Sequence, residues 1–281
     1  MPEIFLHSWN YRDYPLETAI IRARNFGYDG IEIFPGHYPD ESDPVSGMKY
    51  AQMLAERGKI PLAVAPLGLD VLTCPSDDRN RSMDTALMVI ESAGQLGIPR
   101  LNAMMGWLPN QSALPNLDGS AVATTEHFQL AIDLATTLAN AAGAAMVEIT
   151  LETHMGTIHD TAKSVVHILD RVDSASLRAN WDPGNMYSCA HAECPQEAVR
   201  QLTKYITYVH VKNCRSVGGQ FDYHWPLATG DIDYRRLVET MTDNGFRGPY
   251  CIEYSGAGDR DYVSQRDIEY FRSLLADFDT E

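Results

Sequence analysis

Cysteine is scarce and offers no pairing pattern. The five residues, Cys74, Cys189, Cys194, Cys214 and Cys251, are scattered without a C-x-x-C, which argues against a disulfide framework and against a zinc knuckle. Positive charge is scarce too: 22 Lys and Arg stand against 38 Asp and Glu, for a net charge of −16. A field of that sign repels nucleic-acid backbones and anionic bilayers, so neither nucleic acid nor membrane is an expected partner. No window approaches the roughly eighteen consecutive apolar residues of a membrane span. The opening "MPEIFLHSWN" has no basic stretch and no long apolar run, so no signal peptide is expected and the location is read as cytoplasmic. No G-x-G-x-x-G turn follows a strand, which removes the dinucleotide-binding reading. No linker divides the chain.

What is present is an ordinary globular composition, 44% hydrophobic and 21% charged over 281 residues, laid out in strict alternation. Strands are expected at 3–8, 29–34, 61–66, 100–104, 145–152, 177–182, 206–213 and 249–254. Helices are expected at 15–27, 45–58, 79–97, 121–143, 160–172, 195–204, 233–245 and 261–277, the first two stopping at Gly27 and Gly58. Alternation of this kind argues for a parallel sheet with right-handed crossovers. Eight units in about 280 residues fit an α/β fold closed into a (β/α)8 TIM barrel, a single domain over residues 1–281. Two long irregular segments, 105–120 and 214–230, follow the fourth and seventh strands, on the carboxyl-terminal face where such barrels build their sites.

Side chains alternate along a strand, so in "MVEITLETHMGTIHD" Val147, Ile149 and Leu151 share one face while Glu148, Thr150, Glu152 and His154 share the other. With the apolar face toward the helices, Glu152 and His154 point to the barrel axis. The same parity sends Asn180 and Asp182 inward from "RANWDPGN", Tyr208, His210 and Lys212 from "TYVHVKN", Glu253 from "CIEYSG" and Glu32 from "GIEIF". Four consecutive strands thus deliver Glu152, Asp182, His210 and Glu253 at their carboxyl ends. Three converging carboxylates repel one another unless a cation is present. Three carboxylates and an imidazole form a hard set suited to one divalent ion, Mn²⁺ or Mg²⁺ before a closed thiolate zinc site. Open positions on that ion would take two adjacent substrate oxygens.

The quoted motifs, with "LETHMGTIHDT", "YVHVKN" and the closing run "PLATGDIDYRRLVETMTDNGFRGPYCIEYSG", resemble those of the sugar phosphate isomerase/epimerase superfamily with the xylose isomerase-like TIM barrel. The likeness covers nearly the whole chain. It implies one divalent cation, foremost Mn²⁺ with Mg²⁺, Co²⁺ or Zn²⁺ as alternatives, held at Glu152, Asp182, His210 and Glu253. By similarity to the ketose 3-epimerases of the group, Glu152 and Glu253 would form the acid/base pair of an isomerase or epimerase. The substrate would be a small ketose, ketose phosphate or sugar-acid derivative, reacting through an enediolate.

The chain departs from the ketohexose epimerases at Ile158 and Asn185, where they carry a glutamate and a histidine. His154 and Lys212 also resemble the base and neighbouring lysine of metal-dependent 3-dehydroshikimate dehydratases, which leaves a lyase as the alternative on the same barrel. Both readings take a small carbohydrate or keto-acid as partner, and a homodimer is the expected assembly. Asn185, Arg215, Glu32, His7 and Trp107 are candidate substrate-binding residues, and His37 and Trp225 stand behind them. A repair endonuclease on this fold would want a metal cluster and a basic face, and a non-catalytic metal-binding protein is the remaining class.

Overall fold

The computed structural model describes residues 1–108, 119–189, 192–218 and 220–278. Ten strands are found among them: β1 (Ile4–His7), β2 (Gly30–Glu32), β3 (Leu62–Leu69), β4 (Arg100–Met105), β5 (Glu148–Glu152), β6 (Leu177–Trp181), β7 (Ile206–Val211), β8 (Asn213–Val217), β9 (Gln220–Trp225) and β10 (Tyr250–Ile252). Eight of these close a parallel barrel in the order β1-β10-β7-β6-β5-β4-β3-β2, and β8 and β9 form a separate two-stranded sheet. The expected (β/α)8 TIM barrel is the fold.

The surrounding helices are α1 (Leu16–Phe26), α2 (Pro44–Gly58), α3 (Ser76–Leu96), α4 (Thr125–Ala145), α5 (Ala162–Val172), α6 (Pro183–Tyr187), α7 (Pro195–Leu202), α8 (Tyr234–Asp243) and α9 (Arg260–Phe278). Their ends follow local chemistry. Helix α1 stops at Gly27, whose left-handed φ of 82° lets its N–H turn back to the Ala23 and Arg24 carbonyls. Helices α4 and α5 open on capping boxes, Thr124 with His127 and Thr161 with Ser164. Among the described residues, no helix is long and apolar enough to cross a membrane.

Two departures from the sequence reading stand beside the active face. Segment 214–230, expected to be irregular, contains most of the β8–β9 hairpin, whose turn includes Gly218 at φ 59°. The run "DPGN" opens the short helix α6, with Asp182 as its N-cap and Pro183 in its first turn. Of segment 105–120, residues 109–118 lie outside the described residues.

The chain divides into two compact units, Met1–Ala65 with Tyr208–Glu281, and Pro66–Thr207. In the first, an apolar cluster of Phe5, Ala63, Val64, Tyr208 and Cys251 forms a buried layer. Gly30 is required there: a Cβ at that position would stand 2.9 Å from the Phe5 ring and 3.1 Å from the Ala63 Cβ. In the second unit one parity of β4, β5 and β6 carries Arg100 and Asn102, then Glu148, Thr150 and Glu152, then Arg178 and Asn180. Arg100 Nε meets Glu148 Oε1 at 2.7 Å, and the Thr207 hydroxyl donates to the same oxygen at 2.8 Å.

Candidate active site

In the second unit, Glu152 ends β5 and Asp182 follows β6, both buried. Each Glu152 oxygen accepts from an amide: Oε2 from Asn102 Nδ2 at 2.7 Å, and Oε1 from Asn185 Nδ2 at 2.8 Å. Asn185 spends its other amide hydrogen on Asp182 Oδ2 at 2.9 Å, and its backbone N–H donates to Asp182 Oδ1 at 2.9 Å. One side-chain amide therefore ties the two carboxylates together. Its Oδ1 is buried without a hydrogen-bond partner among the described residues, a polar atom that suits a polar occupant. Beneath Asn102, Asn180 Nδ2 donates to Asn102 Oδ1 at 3.0 Å, so the asparagine that aims Glu152 is itself held.

His159 fixes the backbone of the same corner. Its Nδ1 lies 2.6 Å from the Glu152 carbonyl and must donate there, while Nε2 accepts from the Met105 N–H at 3.0 Å. Burial pushes its pKa down to about 4, so the ring is neutral. His154 lies beyond the strand, with Nδ1 2.9 Å from the Met155 carbonyl and its ring edge-on to Trp107 at 5.1 Å. A nitrogen facing a carbonyl carries the hydrogen, so the lone pair of a neutral His154 is on Nε2. Trp107 is anchored by a bridge to Thr157.

In the first unit, register pairs His7 with Glu32 across β1 and β2, and Cys251 with His210 across β10 and β7. Glu253, one residue past β10, bonds through its N–H to the Val211 carbonyl at 3.0 Å. Its carboxylate lies 3.2 Å through each oxygen from Lys212 Nζ and 3.5 Å from His210 Nδ1. Burial alone would raise the Glu253 carboxyl, but the Lys212 ammonium beside it holds it well below the usual range. Glu32, 2% exposed, receives the Tyr208 hydroxyl at 2.5 Å and His210 Nε2 at 2.7 Å on one oxygen, with His7 Nε2 3.6 Å from the other. There too burial would raise the pKa, and His210, His7 and Tyr208 together lower it.

Several sequence candidates therefore have neighbours that the strand pattern does not reveal. The Glu32 carboxylate is engaged by Tyr208 and His210. Arg215 turns its guanidinium to the Thr229 carbonyl through Nε, at 2.9 Å, and Nη2, and stacks over Trp225 at 3.7 Å. These contacts hold the Arg215 guanidinium within its own loop. His37 is tied to Ser8 and the Tyr11 carbonyl. Asn102, Tyr208 and His159 were missed as site residues, although the polar parity of "RLNAM" and "TYVHVKN" marks the first two.

Among the described residues, His7, Glu32 and His210 of the first unit form a group of side chains that could hold a metal ion. Glu152 and Asp182 in the second unit, and His210 and Glu253 in the first, are by residue type three carboxylates and one imidazole, donors that suit a hard divalent cation. Within their unit Glu152 and Asp182 meet amides and backbone N–H groups, which orient the carboxylates.

A parallel barrel with acidic and histidine side chains at the carboxyl ends of its strands has the architecture on which barrel enzymes build their active sites. A family model described as the xylose isomerase-like TIM barrel matches residues 20–274, and the chain belongs to that family. No curated protein matches. Among solved structures, the probable 3-DHS dehydratase AsbF of Bacillus anthracis, involved in petrobactin synthesis, superposes with a TM-score of 0.76 at 16% identity, covering 96% of this chain and 98% of that one. The D-allulose 3-epimerase of Methylomonas sp., in complex with D-allulose, gives 0.75 at 18% identity, covering 97% of each chain. A xylose isomerase-like barrel protein of Mycobacterium smegmatis, in complex with magnesium, gives 0.74 at 19%, covering 99% and 97%. At these identities the likeness is one of fold.

Proposed function

We propose that the protein is a divalent-metal-dependent isomerase or epimerase of a small ketose, ketose phosphate or sugar-acid derivative, working through an enediolate. The observation that carries this is the Asn185 amide shared by Glu152 and Asp182. A cation beside two buried carboxylates that share one amide would offset their mutual repulsion. Glu152, Asp182, His210 and Glu253 come from β5, β6, β7 and β10, which are consecutive in the barrel order, and are the residues proposed to hold it, Mn²⁺ foremost. When bound, the ion would act as a Lewis acid on a substrate carbonyl and its neighbouring hydroxyl. Glu152 and Glu253 are the proton-transfer pair: one removes the proton α to the carbonyl and the other returns one, so that the configuration inverts. Lys212, paired with Glu253, is within reach of the same chemistry. Trp107 and His154 contact the sugar, and Asn185 Oδ1 accepts a substrate hydroxyl. The protein works as a cytoplasmic homodimer.

A second reading rests on His154. With its hydrogen fixed on Nδ1 by the Met155 carbonyl, its Nε2 can act as a base, and a leaving group β to the carbonyl would then turn the same proton abstraction into an elimination.

Both readings are tested by incubating Mn²⁺-loaded protein in D₂O with ketoses, ketose phosphates and cyclic 3-keto acids, followed by NMR. Deuterium entering beside the carbonyl, with an epimer or isomer appearing and both lost in Glu152→Gln, is expected. A conjugated enone or aromatic product that disappears in His154→Ala would move the assignment to the lyase. Failure to bind any divalent ion would refute the four-residue site.

A further inference from the structure

The group of His7, Glu32 and His210 brings its ligand atoms within 4.8 Å of one another, yet its neighbours have already assigned its hydrogens. The Trp9 N–H donates to His7 Nδ1 at 3.0 Å, so a neutral His7 carries its hydrogen on Nε2, the atom that faces Glu32 Oε1 at 3.6 Å. The Tyr208 hydroxyl and His210 Nε2 both converge on Glu32 Oε2, at 2.5 and 2.7 Å. An ionised carboxylate only accepts, so both must donate. The group is a hydrogen-bonded cradle in which imidazole hydrogens occupy the positions a second metal would need.

The consequence falls on His210. With Nε2–H committed to Glu32, the lone pair of the neutral ring is on Nδ1, the nitrogen that faces Glu253 Oε2 at 3.5 Å. We propose that Glu32 is a positioning residue which fixes His210 as the Nε2–H tautomer and so presents Nδ1 as its metal-binding nitrogen. This rests on the metal set of the proposed function. A glutamine has one acceptor oxygen; placed to meet Tyr208 and His210, it would turn its N–H₂ toward His7 Nε2 and remove the charge that favours donation from His210 Nε2. Carboxylates behind metal-binding histidines act in this way generally, and their loss typically weakens metal affinity 10–100-fold.

The test has two arms. In metal-free protein with ¹⁵N-labelled histidine, NMR should show His210 with a protonated Nε2 and a bare Nδ1, a measurement that needs no variant. In the second arm Mn²⁺ is titrated into wild type, Glu32→Gln and Glu32→Asp by calorimetry, with circular dichroism checking the fold. Glu32→Gln should bind about 10–100-fold more weakly, and Glu32→Asp should recover part of the loss. A His210 hydrogen on Nδ1 in the wild type overturns the proposal, as does a folded Glu32→Gln with unchanged Mn²⁺ affinity. A wild type that shows the expected tautomer but binds no divalent ion overturns the metal reading instead.

Discussion

Asp267 offers a sharp physical test of the fold around the active face. It lies on α9 at 2% exposure, and its Oδ1 accepts the Leu227 N–H at 3.0 Å, just after the β8–β9 hairpin. Burial raises its pKa from 3.8 to about 7, against the lowering effect of that single hydrogen bond. In the unfolded chain the carboxyl ionises near 4, whereas in the folded chain it keeps its proton to about 7. Its contribution to stability is therefore complete below the unfolded pKa and is lost as pH rises through the folded one. Each pH unit of that window is worth about 1.4 kcal/mol, so ionisation costs at most about 4 kcal/mol in all and about 3 kcal/mol between pH 5 and pH 8. Asp267→Asn keeps an oxygen for Leu227 and removes the ionisation. Urea unfolding of both proteins at pH 5, 6, 7 and 8 should show the variant gaining on wild type by about 3 kcal/mol over that range. A difference that does not change with pH would refute the buried neutral carboxyl.

Three further outcomes follow from the site and its supports. Asn102→Leu deprives Glu152 Oε2 of its donor and Asn180 of its acceptor, both buried; thermal unfolding should register a loss of about 1–3 kcal/mol, and proton exchange should slow. Gly30→Ala presses a methyl into the Phe5 ring and should cost about 1–3 kcal/mol, read from the denaturation midpoint with Mn²⁺ affinity retained. Mn²⁺ at a hundred times its Kd should stabilise the protein by about 2.7 kcal/mol, reversed by EDTA and absent in Asp182→Asn.

The barrel was legible because each strand carries its own evidence. A run such as "YVHVKN" states through its alternation which side faces the helices, and its place in a repeating unit states its neighbours. The misses come where that evidence changes kind. Asp182 and Pro183 are an N-cap and a first-turn proline, yet with Asp182 read as a ligand the helix they start goes unnoticed. "SVGGQ" is a hairpin-turn signal inside a stretch whose polar flanking residues read as loop. Both features sit on the carboxyl-terminal face, where local chemistry and site chemistry use the same residue types.

Roles were less legible than positions, and Glu32 shows why. Parity alone sends it inward, as it sends Glu152 and Glu253, and nothing in "GIEIF" says what it will meet. Its partner Tyr208 is 176 residues away in sequence and His210 is 178 away, brought to it by the barrel's closure. Both donors meet one oxygen of the carboxylate. Glu152 differs for the same kind of reason: Asn102 and Asn185 aim it with neutral amides. What each carboxylate meets is thus decided by residues distant from it in the chain.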